Sequence, residues 1–257
     1  MRNVLAIVEK ELRTYFVSPV AYVVMTCFLL LAGWFFFNLL TQLQQYIQMA
    51  QSFQRFDMLE QLSISNAVVV PLVGNLAIIL MFIVPIVTMR ALAEEKKLRT
   101  DELLLTSPLT MGEIIAGKFL GSWAFMVLGI VGTLIYPYLL FHYSNPDPGP
   151  IVGGYLAILF ITTAFVAVGL FASSLTESQA VAAVVAIVIN LGLFVIGWPA
   201  QSVSGVLGKV LENVSLQSHF ESLAKGVIET KDLCYFATLV AVFVFLAKRS
   251  LESTRYR

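Results

Sequence analysis

The chain has 257 residues, of which 58% are apolar and only 12% charged, about half the charged share of a soluble globular domain. Its formal net charge is zero, which removes the basic footprint a nucleic-acid binder needs, and two cysteines are too few for a disulfide framework. What remains is an all-α integral membrane protein forming a single domain over residues 1–257, with room for about six spans and none for a separate soluble unit.

Residues 1–17 put Val4, Val8, Leu12 and Phe16 on one helical face with Arg2, Glu9, Lys10 and Arg13 around the rest, the pattern of an amphipathic interfacial helix. The charged part is too long, and the apolar run after it too extended, for a signal peptide. Residues 20–40 carry no charge and cover about 31 Å as a helix, enough for the hydrocarbon core, and form the first span. After a Gln-rich, helix-compatible stretch, residues 67–89 form the second span. Pro85 inside it removes a backbone donor and bends the helix, making it the candidate hinge.

Residues 90–118 interrupt the oil. The stretch from Met89 to Lys118 holds ten of the 32 formally charged side chains, and one charge at the bilayer centre costs about 2.5–3.5 kcal/mol, so this is an aqueous loop. It has internal order: residues 90–99 favour helix, Thr106, Ser107 and Pro108 break it, and Thr110 with Glu113 has the spacing of a capping box opening a new helix. A folded loop of this kind is a docking surface.

The remaining spans are residues 119–141, 151–175, 180–198 and 233–247, the last only 15 residues long. Residues 200–232 are mixed, with Val206, Val210 and Val214 as one apolar stripe and Phe220, Leu223 and Val227 as another, and read as short re-entrant or interfacial helices on the outer side. With both termini inside, Lys and Arg number twelve on the cytoplasmic side and four outside, so the positive-inside rule puts the termini and the 90–118 loop in the cytoplasm.

Three motifs carry less than they first suggest. Gly112 to Lys118 has phosphate-loop spacing, but Phe119 stands where a hydroxyl would hold magnesium and the match runs within a helix; no nucleotide is expected on this chain. Glu94-Glu95-Lys96-Lys97-Leu98-Arg99 fits the glutamate motif of intramembrane metalloproteases, yet His142 and His219 both fall on the outer side, and a solvated helix with Glu95 and Arg99 at i,i+4 spacing explains it better. No span contains Asp, Glu, Lys, Arg or His, which disfavours ion-coupled transport. Asn38, Asn75 and Asn190 are expected to hydrogen-bond between helices, Cys27 and Cys234 to be inert packing residues, and Gly117 with Gly121 to mark a helix contact.

Residues 89–110, MRALAEEKKLRTDELLLTSPLT, following the second span of six, resemble the permease subunit of type-2 ABC exporters. Residues 171–179, FASSLTESQ, and 216–228, LQSHFESLAKGVI, look more narrowly like the gliding-motility-associated branch. The resemblance implies a non-catalytic half-transporter in a bacterial inner membrane. It would pair with a second permease copy or relative, recruit separate ABC ATP-binding subunits that hold the ATP and magnesium, and bind no cofactor itself. In the motility branch a membrane-anchored auxiliary protein is often associated, and a scaffold that transmits force without moving solute is the alternative role. The resemblance also implies a coupling helix within the loop, carried by Glu94, Glu95, Thr100, Asp101, Glu102, Leu103, Leu104, Leu105, Thr106, Pro108 and Glu113, and a second cytoplasmic contact at Ser174, Thr176 and Glu177.

Overall fold

The computed structural model of the chain describes residues 2–53, 63–99, 109–144, 146–201 and 205–255, and every element among them is helical. The helices are α1 (Arg2–Val17), α2 (Pro19–Ser52), α3 (Val70–Thr88, entered through a π-helical turn), α4 (Arg90–Lys97), α5 (Met111–Gly132), α6 (Ile135–Tyr143) and α7 (Pro148–Leu175). They are followed by α8 (Gln179–Val195), α9 (Val206–Val214), α10 (Leu216–Ala224) and α11 (Thr230–Arg255). Five helical stretches are long and apolar enough to cross a bilayer: Pro19–Ser52, Ser65–Lys97, Met111–Tyr143, Pro148–Leu175 and Thr230–Ser253.

The sixth expected span is where length and apolarity part company. Helix α8 has 17 residues and covers about 25 Å, less than the hydrocarbon thickness. The last helix is the reverse case, running 26 residues where the apolar stretch suggested 15. Charged residues at both its ends are good helix formers, so hydropathy stops counting before the helix does. The uncharged, Gln-rich residues 41–52 are likewise polar but helix-forming, so α2 continues unbroken past residue 40 to Ser52.

The core is built around α7, which has no charged residue and touches α3, α4, α5, α8, α10 and α11. Ile158, Ile161, Phe165 and Val168 expose no surface at all. Backbones approach closely where side chains are small: a Cβ on Gly153 would lie 2.5 Å from the Cα of Gly226, and one on Gly154 would lie 2.8 Å from Val73. A smaller second core lies at one end, where Ala91 and Leu92 of α4 meet Met111, Ile114 and Ile115 of α5, Leu170 of α7, and Ala247 and Leu251 of α11.

Two expectations about polar and sulfur side chains are corrected. Asn38 donates to the Trp34 carbonyl of its own helix at 2.9 Å, while Asn190 is fully buried with neither amide atom hydrogen-bonded among the described residues. The carbonyl one turn back is within reach of the first, and the second continues the buried Ala182–Ala186 stripe of α8. Cys27 and Cys234 are free and exposed on the outside of their helices instead of packed within the core. Apolar runs conceal such faces, because a membrane helix is apolar all round.

Candidate functional site

The end of the bundle carrying α4 also holds Lys118 of α5, among the described charged residues of the 90–118 stretch. Helix α3 passes through the buried Pro85 and stops at Thr88, whose hydroxyl turns back to the Val84 carbonyl at 2.9 Å. The break at Met89 deprives the first amides of α4 of helical partners. Ser173 of α7 supplies what is missing: its Oγ accepts from the amides of Leu92 and Ala93, each at 3.0 Å, and donates to the Met89 carbonyl at 2.9 Å. One hydroxyl thus closes the joint.

Ser174 is also fully buried, so its side chain presents no surface to a partner chain. Its carbonyl accepts from the Lys96 ammonium of α4 and from the Ser250 hydroxyl of α11. Thr176 is half-buried and Glu177 exposed in the turn before α8, and the Thr176 hydroxyl accepts from the Ser178 amide at 3.1 Å.

Helix α1 joins the same end. Gly117 and Gly121 of α5 form the groove that receives it: a Cβ on Gly117 would sit 2.6 Å from Cβ of Ile7, and one on Gly121 would sit 2.7 Å from Cβ of Glu11. The inward face is therefore centred on Ile7, Glu11 and Tyr15, rotated from the Val4–Phe16 stripe, and Phe16 is 46% exposed. The rotation is explained by Lys118. Its Nζ lies 2.8 Å from Oε1 of Glu11 and 2.8 Å from Oε1 of Glu95, with Lys10 Nζ 3.5 Å from the same Glu95 oxygen. Lys118 is 2% exposed and Glu11 7%, so α1, α4 and α5 meet at a buried charge cluster. A buried cation between two carboxylates is tolerable because each charge is both paired and hydrogen-bonded.

Further ties surround the cluster. Tyr15 stacks on Phe125 at 4.9 Å between ring centroids, and its hydroxyl is 2.9 Å from that of Ser122. Burial foremost, with Glu11 nearby, pushes the Tyr15 phenol far above its ordinary value, so it stays neutral. Thr110 and Glu113 form the expected capping box, with the Thr110 amide donating to Glu113 Oε2 at 2.9 Å and the Glu113 amide donating to Thr110 Oγ1 at 3.3 Å. Asn3 of α1 donates to the other Glu113 oxygen at 3.1 Å. Between α1 and α4 lies a cavity of about 280 Å³, lined among others by Lys10, Thr14, Arg90 and Glu94. Arg90 donates to Ser18 Oγ at 3.2 Å across the mouth of α2.

Of the candidate coupling residues, the structure thus brings Glu95 and Glu113 onto α1, while Glu94 lines the cavity. Thr100, Asp101, Glu102, Leu103, Leu104, Leu105, Thr106 and Pro108 lie outside the described residues. The Glu95–Arg99 helical pairing is replaced: α4 ends at Lys97, Arg99 sits at φ 55°, and Glu95 turns to the two lysines. Lys118, the last residue of the phosphate-loop-like spacing, is committed to two carboxylates inside a helix. No group of three or more His, Cys, Asp or Glu residues able to hold a metal occurs among the described residues. His142 and His219 both lie toward the opposite end of the bundle, on α6 and α10.

An uncharged helical bundle with its charges concentrated on a tied-down loop has a counterpart among known families. The sequence model described as ABC-2 family transporter protein matches residues 5–248. The chain belongs to this ABC-2 transporter family. It is a multi-pass membrane protein, the permease subunit of an ABC transporter; members of the family are generally non-catalytic and work with an ATP-binding partner. No curated protein matches the chain. Glu11, Tyr15, Lys118 and Ser173 are the site residues that the sequence reading passed over. Gly117 and Gly121, one residue before and three after Lys118, were the available signal that another helix lies against this lysine.

Proposed function

We propose that the chain is the half-transporter of an ATP-driven exporter, dimerising with a second permease and driven by separate ATP-binding subunits that dock on α4 and the stretch running to Glu113. Helix α8 makes the sixth crossing, and the twelve-to-four excess of basic residues sets both termini and the docking face in the cytoplasm. The observation that carries the reading is the buried Lys118, which fastens α4 to both α1 and the base of α5. A push on α4 meets a rigid three-helix unit instead of a loose loop. It is then passed through the Ser173 joint to α3 and α7, with Pro85 as the flexing point. Glu94 and the exposed Lys97 and Leu98 offer contact surface, and Glu177 a second, smaller one. Narrower membership of the motility-associated branch, with its auxiliary protein, rests on the 171–179 and 216–228 segments.

The test is ATP hydrolysis by the ATP-binding partner co-purified with the full chain. Glu102→Lys and Pro108→Gly should leave membrane insertion and dimerisation intact while weakening partner binding or abolishing the permease's effect on hydrolysis. Glu212→Lys, on the exposed face of α9, should do neither. If both loop variants bind and regulate the partner like the parent, the loop is a solvated linker and the coupling assignment fails.

A further inference from the structure

Among the described residues, the cavity between α1 and α4 is walled by six charged side chains, and four of them satisfy one another. Lys118 lies against Glu11 and Glu95, with Lys10 beside Glu95, a set of two cations and two carboxylates that closes on itself. The other two do not close. Arg90 spends Nη1 on the Ser18 hydroxyl at 3.2 Å, while its Nε is buried with no partner among the described residues. Glu94, one turn along α4, lines the same cavity, and its carboxylate forms no ion pair or hydrogen bond among the described residues. Residues four apart on a helix are within bridging reach, although with the cation first the order is the poorer of the two. Here they stay separate, a guanidinium and a carboxylate lining one space.

The free edge of Arg90 is one that recognises phosphate. With Nη1 committed to Ser18, Nε remains on the side of the guanidinium from which two parallel N–H bonds reach two oxygens of one anion. Ser18 adds to it: its Oγ accepts from Arg90, which leaves its own O–H to donate. Glu94 requires the opposite, a cation with N–H donors. A guest carrying phosphate alone would put a second negative charge beside an unpaired Glu94, and a guest carrying an amine alone would leave Arg90 unpaired. A zwitterion with both groups satisfies both side chains.

We infer that this cavity holds the headgroup of a phospholipid that carries a primary amine, with its phosphate on Arg90 and Ser18 and its ammonium on Glu94. The chemistry is that of an aminoalkyl phosphate, and its position assigns it to the bilayer. Ser18 immediately precedes the membrane helix α2, and Arg90 opens α4 just past the end of α3. The 19 residues of α3 cover about 28 Å, nearly the hydrocarbon thickness, so Arg90 stands where the hydrocarbon gives way to phosphates. Size agrees with a headgroup: about 280 Å³ is near the lower end of small-molecule pockets, which leaves the acyl chains outside in the bilayer. Lys10, Thr14 and Leu98 on the rim are exposed, while Glu11, Tyr15 and Lys118 beneath them are buried. A headgroup seated there ties α4 to the corner between α1 and α2, and needs no ATP-binding partner to do so.

Native mass spectrometry of the purified, delipidated full chain, titrated with short-chain lipids, tests the site. The parent should bind short-chain phosphatidylethanolamine about tenfold or more tightly than the matching phosphatidylglycerol, whose headgroup has the phosphate and no amine. Glu94→Gln should erase that preference by weakening the ethanolamine lipid alone, and Arg90→Gln should weaken both lipids. Free O-phosphoethanolamine carries the same two groups without chains to hold it at the edge of the bundle, and should compete only at concentrations about tenfold or more higher. Equal competition by the free zwitterion overturns the bilayer as the source. The comparison of the two lipids on the parent needs no variant, and decides alone if a variant does not fold. A parent that does not distinguish the two lipids, or an Arg90→Gln variant that binds both like the parent, overturns the inference.

Discussion

The two ends of the bundle solve the same problem in different chemistry. Each must hold accessory helices against spans that offer them mostly oil, and each uses one buried charge cluster to do it. At the α4 end, Lys118 binds Glu11 and Glu95, with Lys10 beside them, so that α1, α4 and α5 are held by four formal charges that sum to zero. At the other end, α9, α10 and α11 meet at His219, whose ring nitrogens lie 2.6 Å from Asp232 Oδ1 and 3.2 Å from the Asn213 carbonyl oxygen. The difference teaches that α1, α4 and α5 are joined through full charges on long side chains, and α9, α10 and α11 through one aromatic ring seated between two oxygens.

Breaking the Lys118 cluster should give the largest effect. Lys118→Met keeps the length of the side chain but leaves Glu11 and Glu95 without their shared cation, and removal of one partner from a buried ion pair costs about 3–5 kcal/mol. Thermal unfolding of the purified chain should register this as a large fall in midpoint, with α1 becoming susceptible to protease before the rest. Adding Glu11→Gln and Glu95→Gln to the same chain should recover much of the loss, because the uncompensated charges are then gone. Asp232→Asn at the other end should cost far less, since its hydrogen bonds are retained. Equal losses for Lys118→Met and Asp232→Asn would remove the contrast between the ends.

The next effect concerns close packing, and here the order of the ends reverses. A methyl group added at Gly153 meets the backbone of Gly226 at 2.5 Å and of Leu223 at 2.6 Å, atoms that cannot move without shifting α10. At Gly117 the same methyl meets Cβ and Cγ2 of Ile7, both at 2.6 Å, a side chain instead of backbone. Overpacking of this kind typically costs about 1–3 kcal/mol. Gly153→Ala should fall toward the upper part of that range and Gly117→Ala toward the lower, as measured by chemical denaturation. An inverted order would mean that α1 is the more rigidly seated element.

The sequence made some of this legible and hid the rest for identifiable reasons. Spans could be read because twenty apolar residues need no partner to declare themselves, and the Thr110–Glu113 capping box could be read because its two residues are three apart. The Lys118–Glu11 pair spans 107 positions, and in a single sequence nothing joins them. Glu11 stands off the apolar stripe of α1, where a charge is ordinarily assigned to water unless its partner is known. Asp232 ended the expected last span for the same reason, although it is buried in the first turn of the helix itself. Ser173 was one of several small hydroxyls near a helix end; only the break at Met89 shows what it is for.

The smallest expected effect compares two tyrosines, one at each end. Tyr235→Phe removes a bond to the Val214 carbonyl at an exposed position where water can replace the lost donor, so its cost should be that of an ordinary hydrogen bond, about 0.5–1.5 kcal/mol. Tyr15→Phe removes a partner of Ser122, which is 1% exposed, and a buried group left unsatisfied costs about 1–3 kcal/mol. Tyr15 also shapes how the parent responds to alkali. Burial raises the Tyr15 phenol in the folded chain, so its contribution is fully present below the value for the unfolded chain, about 10, and declines as pH climbs beyond it. The unfolded chain sheds that proton first, and each further pH unit shifts the balance toward it by up to about 1.4 kcal/mol. Tyr15→Phe should therefore be less stable than the parent near neutrality yet lose less on going from about pH 10 to about pH 11. Denaturation midpoints at the two pH values settle the matter: parallel losses in parent and variant would mean that Tyr15 reaches solvent, and that the α4 end is looser than its ion pairs imply.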